Sequence, residues 1–357
     1  GVQPRVAKKV KIQPGEGVAG FVFQTGRPLL VNNLSSKKSS GWKPRQKGYA
    51  TSSFVSIPVI ASPLHIGEEM IGVLNLTDRR DGSRFSPRDL KMLELMANQA
   101  AGIFRTRQLM DTLKEHEAYH RELQIVSEIQ ERLIPSKFPK LDGIQIGGHC
   151  QLSPRGGGDY FDVVQVGKSL RGVIADVSGH NVGSAITMAS FRSMVRSLSF
   201  DPNTPGEWLR ALRWAMHEEL LRLHQFISCW VWEFNPPGSF ILSGAGHPPV
   251  LIYRAKGKKW ETLASHHLPL GLEDDSRIQN LKAQLKRGDV IIFYTDGLFD
   301  PRMRETGLER DNIMDFLQNN LRFTPQKMIG NLFELLDPHL NLLKAPDDVA
   351  VLALKRK

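Results

Sequence analysis

Aspartate recurs in one kind of place in this sequence, at the end of an apolar run beside small residues. In VIADVSGHNVGSA, residues 173–185, Asp176 closes a β-branched run and is followed by Ser178, Gly179 and Gly183. DVIIFYTDGLFD presents Asp296 and Gly297 after an apolar run that ends at Tyr294, and APDDVAVLALK sets Asp347 and Asp348 before another. RGGGDYFDVVQV places Asp159 and Asp162 between three glycines and a β-branched stretch. Asp, Ser and Gly are also ordinary turn residues, so any one stretch alone reads as a turn. Four together have a chemical use, because a hard cation such as Mg²⁺ or Mn²⁺ takes oxygen ligands from several segments and leaves positions to water.

Other chemistries find little support. Cys150 and Cys229 are the only cysteines and form no CxxC or Cys/His cluster, so they suggest buried small hydrophobes rather than a disulfide framework or a zinc site. There is no CxxxxxR loop, no GxxxxGK[ST] loop and no GxSxG elbow. The net charge of +10 is concentrated early: residues 1–104 hold 15 basic and 7 acidic residues, residues 105–140 hold 7 and 6, and residues 141–357 hold 25 and 24. The excess sits largely in RVAKKVK and SSKKSSGWKPRQKG, with no helix-turn-helix, RNP or zinc-finger pattern beside it, so a solvated surface is expected and no nucleic-acid partner. No apolar run reaches 18 residues and the N-terminal stretch lacks an apolar centre, so a cytoplasmic protein with no membrane span is expected.

The elements that must position the acids fall into three segments: 1–104, 105–140 and 141–357. The first alternates short apolar runs with turn signals and closes in SPRDLKMLELMANQAAGIF, where Ser86 suits an N-cap, Pro87 the first helical position, and Leu90, Leu93, Met96, Ala97 and Ala100 one face. From about 105 to 134 the sequence is helical without Gly or Pro. Leu109, Leu113, His116, His120 and Leu123 follow 4-3-4-3 spacing, and Ile125, Ile129 and Leu133 continue on a shifted face. That seam suits a parallel homodimer, and a plain connecting helix is the alternative. In the third segment strands outnumber helices, and the helices come in groups, as in sheet layers flanked by helix.

PGEGVAGFVFQTGRPLLVNNL, SFVSIPV, MIGVLNLTD and FSPRDLKMLELMANQAAGIF resemble, in order and spacing, the second half and last helix of a GAF domain. A GAF domain ordinarily opens with a helix and strands, and about a dozen residues precede the match here, so the module is expected to be N-terminally incomplete. The resemblance implies a sensory module taking a small-molecule or protein signal; a packing or dimerising role is the alternative.

Residues 141–357 resemble the SpoIIE-like branch of the PPM (type 2C) serine/threonine phosphatases. The match is carried by ELQIVSEIQERLIPSKFP just upstream, then GGGDYFDVV, IADVSGHNVGSA, LSGAGHPPVLIYR, LPLGL, LKRGDVIIFYTDGLFD and PDDVAVLALK. The resemblance implies an α+β fold overall: a GAF-like module, a helical linker, and a sandwich of two antiparallel sheets with helices outside. It also implies two Mn²⁺ or Mg²⁺ ions, with Asp176 bridging both, the Val177 carbonyl as a further ligand, Asp296 and Asp347 completing one ion, and Asp159 serving the second. Such a pair lowers the pKa of a shared water towards neutral, so no side-chain nucleophile is needed. On this basis the small residues after Asp176 let backbone and water approach closely.

Around that core, Arg155 suits a bidentate grip on phosphate or an ordinary surface role. His180 suits proton donation to a leaving oxygen or a solvent-facing turn, and His247 in GAGHPPV suggests a shaped turn. Ser243 stands where the family commonly has Asn. Trp208, Trp214, Trp230 and Trp232 are expected in the core or on a sheet surface. The whole predicts a phosphatase acting on a phosphoserine or phosphothreonine of a regulatory protein, with a STAS-type anti-sigma-factor antagonist as the expected substrate. An inactive partner-binding pseudo-phosphatase is the alternative, and all the acids it would have lost are present.

Overall fold

The computed structural model describes residues 13–15, 17–32, 54–61, 69–77, 79–153, 156–179, 181–200, 203–265, 267–272, 278–343 and 347–357. The chain divides into two compact units, Gly1–Glu117 and Ala118–Lys357.

In the first unit, helix α1 (Gly17–Thr25) precedes strands β1 (Leu29–Val31), β2 (Phe54–Ala61) and β3 (Glu69–Thr77), which form an antiparallel sheet in the order β1-β2-β3. Val18 and Val22 of α1 are buried against Leu29, Val31 and Val73. Helix α2 (Pro87–Leu133) then runs 47 residues, through the division between the units. Its start is the expected one: Ser86 Oγ accepts from the Asp89 amide (3.3 Å) while the Asp89 carboxylate accepts from the Ser86 amide (2.7 Å), a reciprocal cap. Ala97 is fully buried among Leu30, Leu74, Phe85, Leu90 and Leu93, whereas Met96 is exposed and so departs from the expected face. Exposure varies along the expected seam and the shifted face that follows it. Leu109, Leu113, Ile125 and Ile129 are exposed and Leu123 is buried.

In the second unit, β4 (Ile144–Gln151), β5 (Tyr160–Val166) and β6 (Ser169–Val177) lead into helices α3 (Val182–Leu198) and α4 (Pro205–Leu223). Strands β7 (Ile227–Asn235), β8 (Ser239–Ala245), β9 (Val250–Arg254), β10 (Lys259–Leu263), β11 (Leu281–Gln284) and β12 (Val290–Tyr294) follow. Two 3₁₀ turns (Asp296–Phe299 and Pro301–Thr306), helices α5 (Arg310–Asn320) and α6 (Pro325–Leu342), and β13 (Val349–Arg356) complete it. The strands make two five-stranded antiparallel sheets, β10-β9-β12-β13-β4 and β11-β8-β7-β6-β5.

Alternation along each strand explains the layering, since successive side chains point to opposite faces. From β6 and β7, Leu170, Ile174, Trp230, Trp232 and Phe234 meet Ile291, Phe293, Leu352 and Leu354 of the facing sheet. Their neighbours Val173, Ala175, Val177, Cys229 and Val231 face outward against Met188 and Phe191 of α3 and Leu209 and Leu212 of α4. Ile292, Tyr294, Val351 and Ala353 likewise face Ile313 and Leu317 of α5 and Ile329 and Leu332 of α6. The result is a sandwich with a helical layer on each outer face. Trp208, Trp230 and Trp232 are buried, but Trp214 is 84% exposed on α4. Cys229 is buried and Cys150 half-buried. Among the described residues no helix is long and apolar enough to cross a membrane.

Candidate active site

Three strand ends meet at one rim of the sandwich. Asp176 is the penultimate residue of β6, Asp296 opens the 3₁₀ turn after β12, and Asp347 and Asp348 immediately precede β13. Asp159, between the glycine run and β5, is buried beside them. Antiparallel pairing of β12 with β13 joins the end of one to the start of the other, Tyr294 opposite Val351, which brings Asp296 and Asp347 together.

The electrostatics follow from that crowding. Burial pushes Asp176 up to about 7, helped by the negative charges of Asp296, Asp347 and Asp348. Burial also drives Asp159 well above the usual carboxylate range, with Asp176 and Asp348 adding to the effect and a hydrogen bond from Thr295 opposing it. Asp296 is raised by burial and then by Asp347. At these three acids the strongest influences are desolvation and the charge of a neighbouring acid. Asp347 has a basic neighbour, with Arg302 Nη2 3.9 Å from its Oδ2.

Two buried residues brace the acids. Thr295 Oγ1 donates to Asp159 Oδ2 (2.6 Å) and accepts from the Ala350 amide (2.8 Å), tying β12, β13 and the glycine loop together. Asp348 accepts from the amides of Ser153 (2.6 Å), Gly158 (2.7 Å) and Asp159 (3.4 Å). Burial raises it while those bonds pull it down. Asp162, in the same stretch as Asp159, belongs elsewhere: its Oδ2 accepts from Arg196 Nε (2.6 Å) and Tyr160 Oη (2.8 Å).

The close backbone approach lies upstream of the position the sequence suggests. A Cβ at Gly157 would collide with the Asp348 carboxylate, and one at Gly158 with the Val177 carbonyl oxygen. The Val177 amide also donates to the Gly158 carbonyl (3.2 Å). After Asp176 the small residues do turn work instead: Gly179 has φ +96°, and Asn181 caps α3 through the amides of Gly183 (2.8 Å) and Ser184 (3.2 Å). Arg155 and His180 lie outside the described residues. His247 is buried, with Ser228 Oγ 2.7 Å from its Nδ1, as a shaped turn would have it. Ser243 donates to the Gln279 carbonyl (2.9 Å).

A pocket of about 300 Å³ opens beside Asp296 and Asp347, with Arg302, Arg310, Phe299 and Pro248 on its walls. Arg302 is clamped by Asp300, and Arg310 lies over the Phe299 ring at 4.8 Å. Sequence reasoning passed over Arg302, Arg310, Thr295 and the bracing role of Asp348. The one signal for Arg302 was its place two residues beyond DGLFD.

The donor set suits a hard divalent cation in type and in charge: carboxylates and a backbone carbonyl, mutually repulsive and in need of positive charge. Its convergence is incomplete. Among the described residues no group of three or more Asp, Glu, His or Cys side chains is placed to hold a metal ion by itself.

A family model described as stage II sporulation protein E (SpoIIE) matches residues 167–357, which is more than half of the chain and includes Asp176, Asp296 and Asp347. The chain belongs to the SpoIIE family. A GAF-domain model matches residues 2–105, so the SpoIIE-family domain is preceded by a GAF domain. A relative, the phosphoserine phosphatase RsbU of Bacillus subtilis, is 26% identical over 237 residues, covering 66% of this chain and 70% of that protein. Among solved structures, the RsbU and RsbW domains of a Mycobacterium tuberculosis protein align with a TM-score of 0.55 at 25% identity, over 63% of each chain. The PP2C domain of SiaA from Pseudomonas aeruginosa aligns with a TM-score of 0.57 at 18% identity, over 68% of this chain and 99% of that one, which shows a shared fold.

Proposed function

We propose that residues 141–357 form a metal-dependent phosphoprotein phosphatase that hydrolyses phosphoserine or phosphothreonine on a regulatory protein. The observation that carries this is the rim itself: Asp159, Asp176, Asp296 and Asp347 gathered at strand ends, each of the first three raised by burial and by a neighbouring acid. Asp176 would be shared by two Mn²⁺ or Mg²⁺ ions, with the Val177 carbonyl, Asp296 and Asp347 completing one and Asp159 serving the other. Bound there, the ions would supply an activated water and charge neutralisation for in-line attack on phosphorus. The protein's own part is positional. Thr295 and Asp348 hold the acid-bearing loops in register, and Arg302 and Arg310 face the adjoining pocket, where guanidinium groups suit phosphate or acidic flanking residues. Arg155 would add a phosphate contact.

The substrate by this reading is a phosphorylated STAS-like antagonist in the cytoplasm, in keeping with the likeness to a phosphoserine phosphatase. The GAF domain, residues 1–104, would receive a small-molecule or protein signal, and residues 105–140 would link it to the phosphatase. The exposed Leu109, Leu113, Ile125 and Ile129 support a homodimer through that helix.

A second reading, a partner-binding scaffold without turnover, is favoured by the incomplete convergence of the acids. Hydrolysis of an aryl phosphate and of a phosphoserine peptide, with and without Mn²⁺, separates the two. Turnover that requires Mn²⁺ and disappears in Asp176→Asn is expected. No turnover together with no Mn²⁺ binding would instead establish the scaffold, whereas Mn²⁺ binding without turnover would mark a resting enzyme.

A further inference from the structure

The last turns of α2 reach into the rim through one side chain. Gln130 is 2% exposed, and both ends of its amide are used on a single residue of the glycine loop. Its Nε2 donates to the Gly157 carbonyl (2.6 Å), and the Gly157 amide donates to its Oε1 (3.0 Å). The side-chain amide thus pairs with Gly157 as a neighbouring strand would. Three residues earlier on the helix, Ser127 Oγ lies 3.4 Å from the Ser153 carbonyl at the other end of the loop. The helix end is itself anchored, since Arg192 Nε of α3 donates to the Leu133 carbonyl (2.8 Å).

What the clasp holds is the loop that bears Asp159. Gly157 has no side chain with which to be fixed, and a Cβ there would strike Asp348. The next two amides, of Gly158 and Asp159, donate to Asp348, and the Gly158 carbonyl accepts from Val177. Gln130 therefore grips the loop on one side while Asp348 grips it on the other, and a shift of Gly157 is passed to Asp159 within two residues. A buried amide that loses both partners leaves a donor and an acceptor unsatisfied, so the clasp resists being half undone.

We propose that Gln130 is a positioning residue for the carboxylate centre, through which displacement of the last turns of α2 alters the placement of Asp159 and hence metal affinity. The proposal rests on the phosphatase reading for its consequence in turnover, but the clasp itself can be tested without it.

Gln130→Met keeps the length of the side chain and removes both strong hydrogen bonds. Amide hydrogen exchange over residues 153–159 is expected to quicken about tenfold or more, with β13 unchanged. Mn²⁺ affinity by calorimetry should weaken about tenfold or more, in the range seen when groups that orient metal ligands are removed. At saturating Mn²⁺, kcat should fall while KM for the aryl phosphate changes less than twofold. Gln130→Glu, which keeps the acceptor for the Gly157 amide and loses the donor, should fall between Met and wild type and serves if the Met variant does not fold. Unchanged exchange in 153–159, or a lowered Tm with Mn²⁺ affinity and kcat as in wild type, would overturn the proposal. Wild-type protein that binds no Mn²⁺ would overturn the phosphatase reading, and the exchange measurement would still decide the clasp.

Discussion

The interior of the sandwich and its rim are built on the same strands and obey opposite rules. Inside, Ile174, Trp230, Trp232, Phe293 and Leu352 are almost completely removed from water. Burial there stabilises, at roughly 25 cal/mol per Å² of apolar surface. At the end of β6, in the turn after β12 and just before β13, the side chains become Asp176, Asp296 and Asp348, and burial now works against the charged form. Stability is thus held in the slab, and the proposed chemistry sits at its edge. The apolar cluster of the slab contains none of these acids, so its cohesion is expected to survive the loss of charge at Asp176.

The sharpest way to break that contrast is a pair of substitutions with crossed effects. Asp176→Asn should lower metal-dependent turnover by about 10³-fold or more, equivalent to about 4 kcal/mol of barrier. In metal-free buffer its Tm should equal or exceed that of wild type, because one member of a mutually repelling group has lost its charge. Trp232→Ala, stacked between Phe240 and Phe293 at 5.4 and 5.9 Å, should cost about 3–5 kcal/mol of stability while the folded fraction keeps its turnover per molecule. Chemical denaturation together with active-site titration reads both. An Asp176→Asn protein destabilised as much as Trp232→Ala would show that the rim is structural as well.

A smaller effect is expected where slab and rim meet. Gly157→Ala brings a methyl group against a carboxylate that accepts three backbone amides and cannot easily retreat. The cost should be about 3 kcal/mol, near the upper end for overpacking, together with weakened Mn²⁺ binding. Gly179→Ala has open space around it but demands φ +96°, so it should cost about 1 kcal/mol or more and leave Mn²⁺ affinity within twofold. Equal effects on Mn²⁺ affinity from the two substitutions would erase the distinction between a loop packed on the site and a turn merely adjoining it.

That distinction also marks the limit of what the sequence discloses. The acids were legible because apolar runs bounded by Asp-Gly or Asp-Asp are local patterns, and layers of sheet flanked by helix because strand and helix runs are local too, whereas the two-sheet sandwich was implied only by the family resemblance. Glycine was harder to interpret. The same residue serves a positive φ at 179 and a collision-free approach at 157 and 158, and only the neighbours, Asp348 and Val177, tell them apart. Thr295, which reaches Asp159 across 136 positions, and Asp348, which reaches Gly158 across 190, act through contacts that no spacing reveals. The linker was legible as helix, since no Gly or Pro interrupts it, and it continues the helix that begins at Pro87 as one element to Leu133.

A pH-dependent effect belongs to a buried group that is neutral rather than charged. Burial pushes His247 down to about 3, against the weaker opposing pull of the neighbouring Tyr294 and Ser228 backbone. The unfolded chain takes up this proton near pH 6.5, whereas the folded protein refuses it until about pH 3. Below pH 6.5 the unfolded state therefore binds the extra proton, and stability that is complete above that pH is lost as the pH falls towards 3. Between about pH 7.5 and pH 5 the loss from this one residue should be about 2 kcal/mol. His247→Gln removes the titration; the variant should be less stable at neutral pH and should lose about 2 kcal/mol less than wild type over the same interval. The acids of the rim titrate in both proteins and cancel in the difference between the two slopes. Urea denaturation at five pH values gives those slopes, and parallel curves would mean that His247 accepts its proton without unfolding, placing it with the adaptable rim instead of the rigid slab.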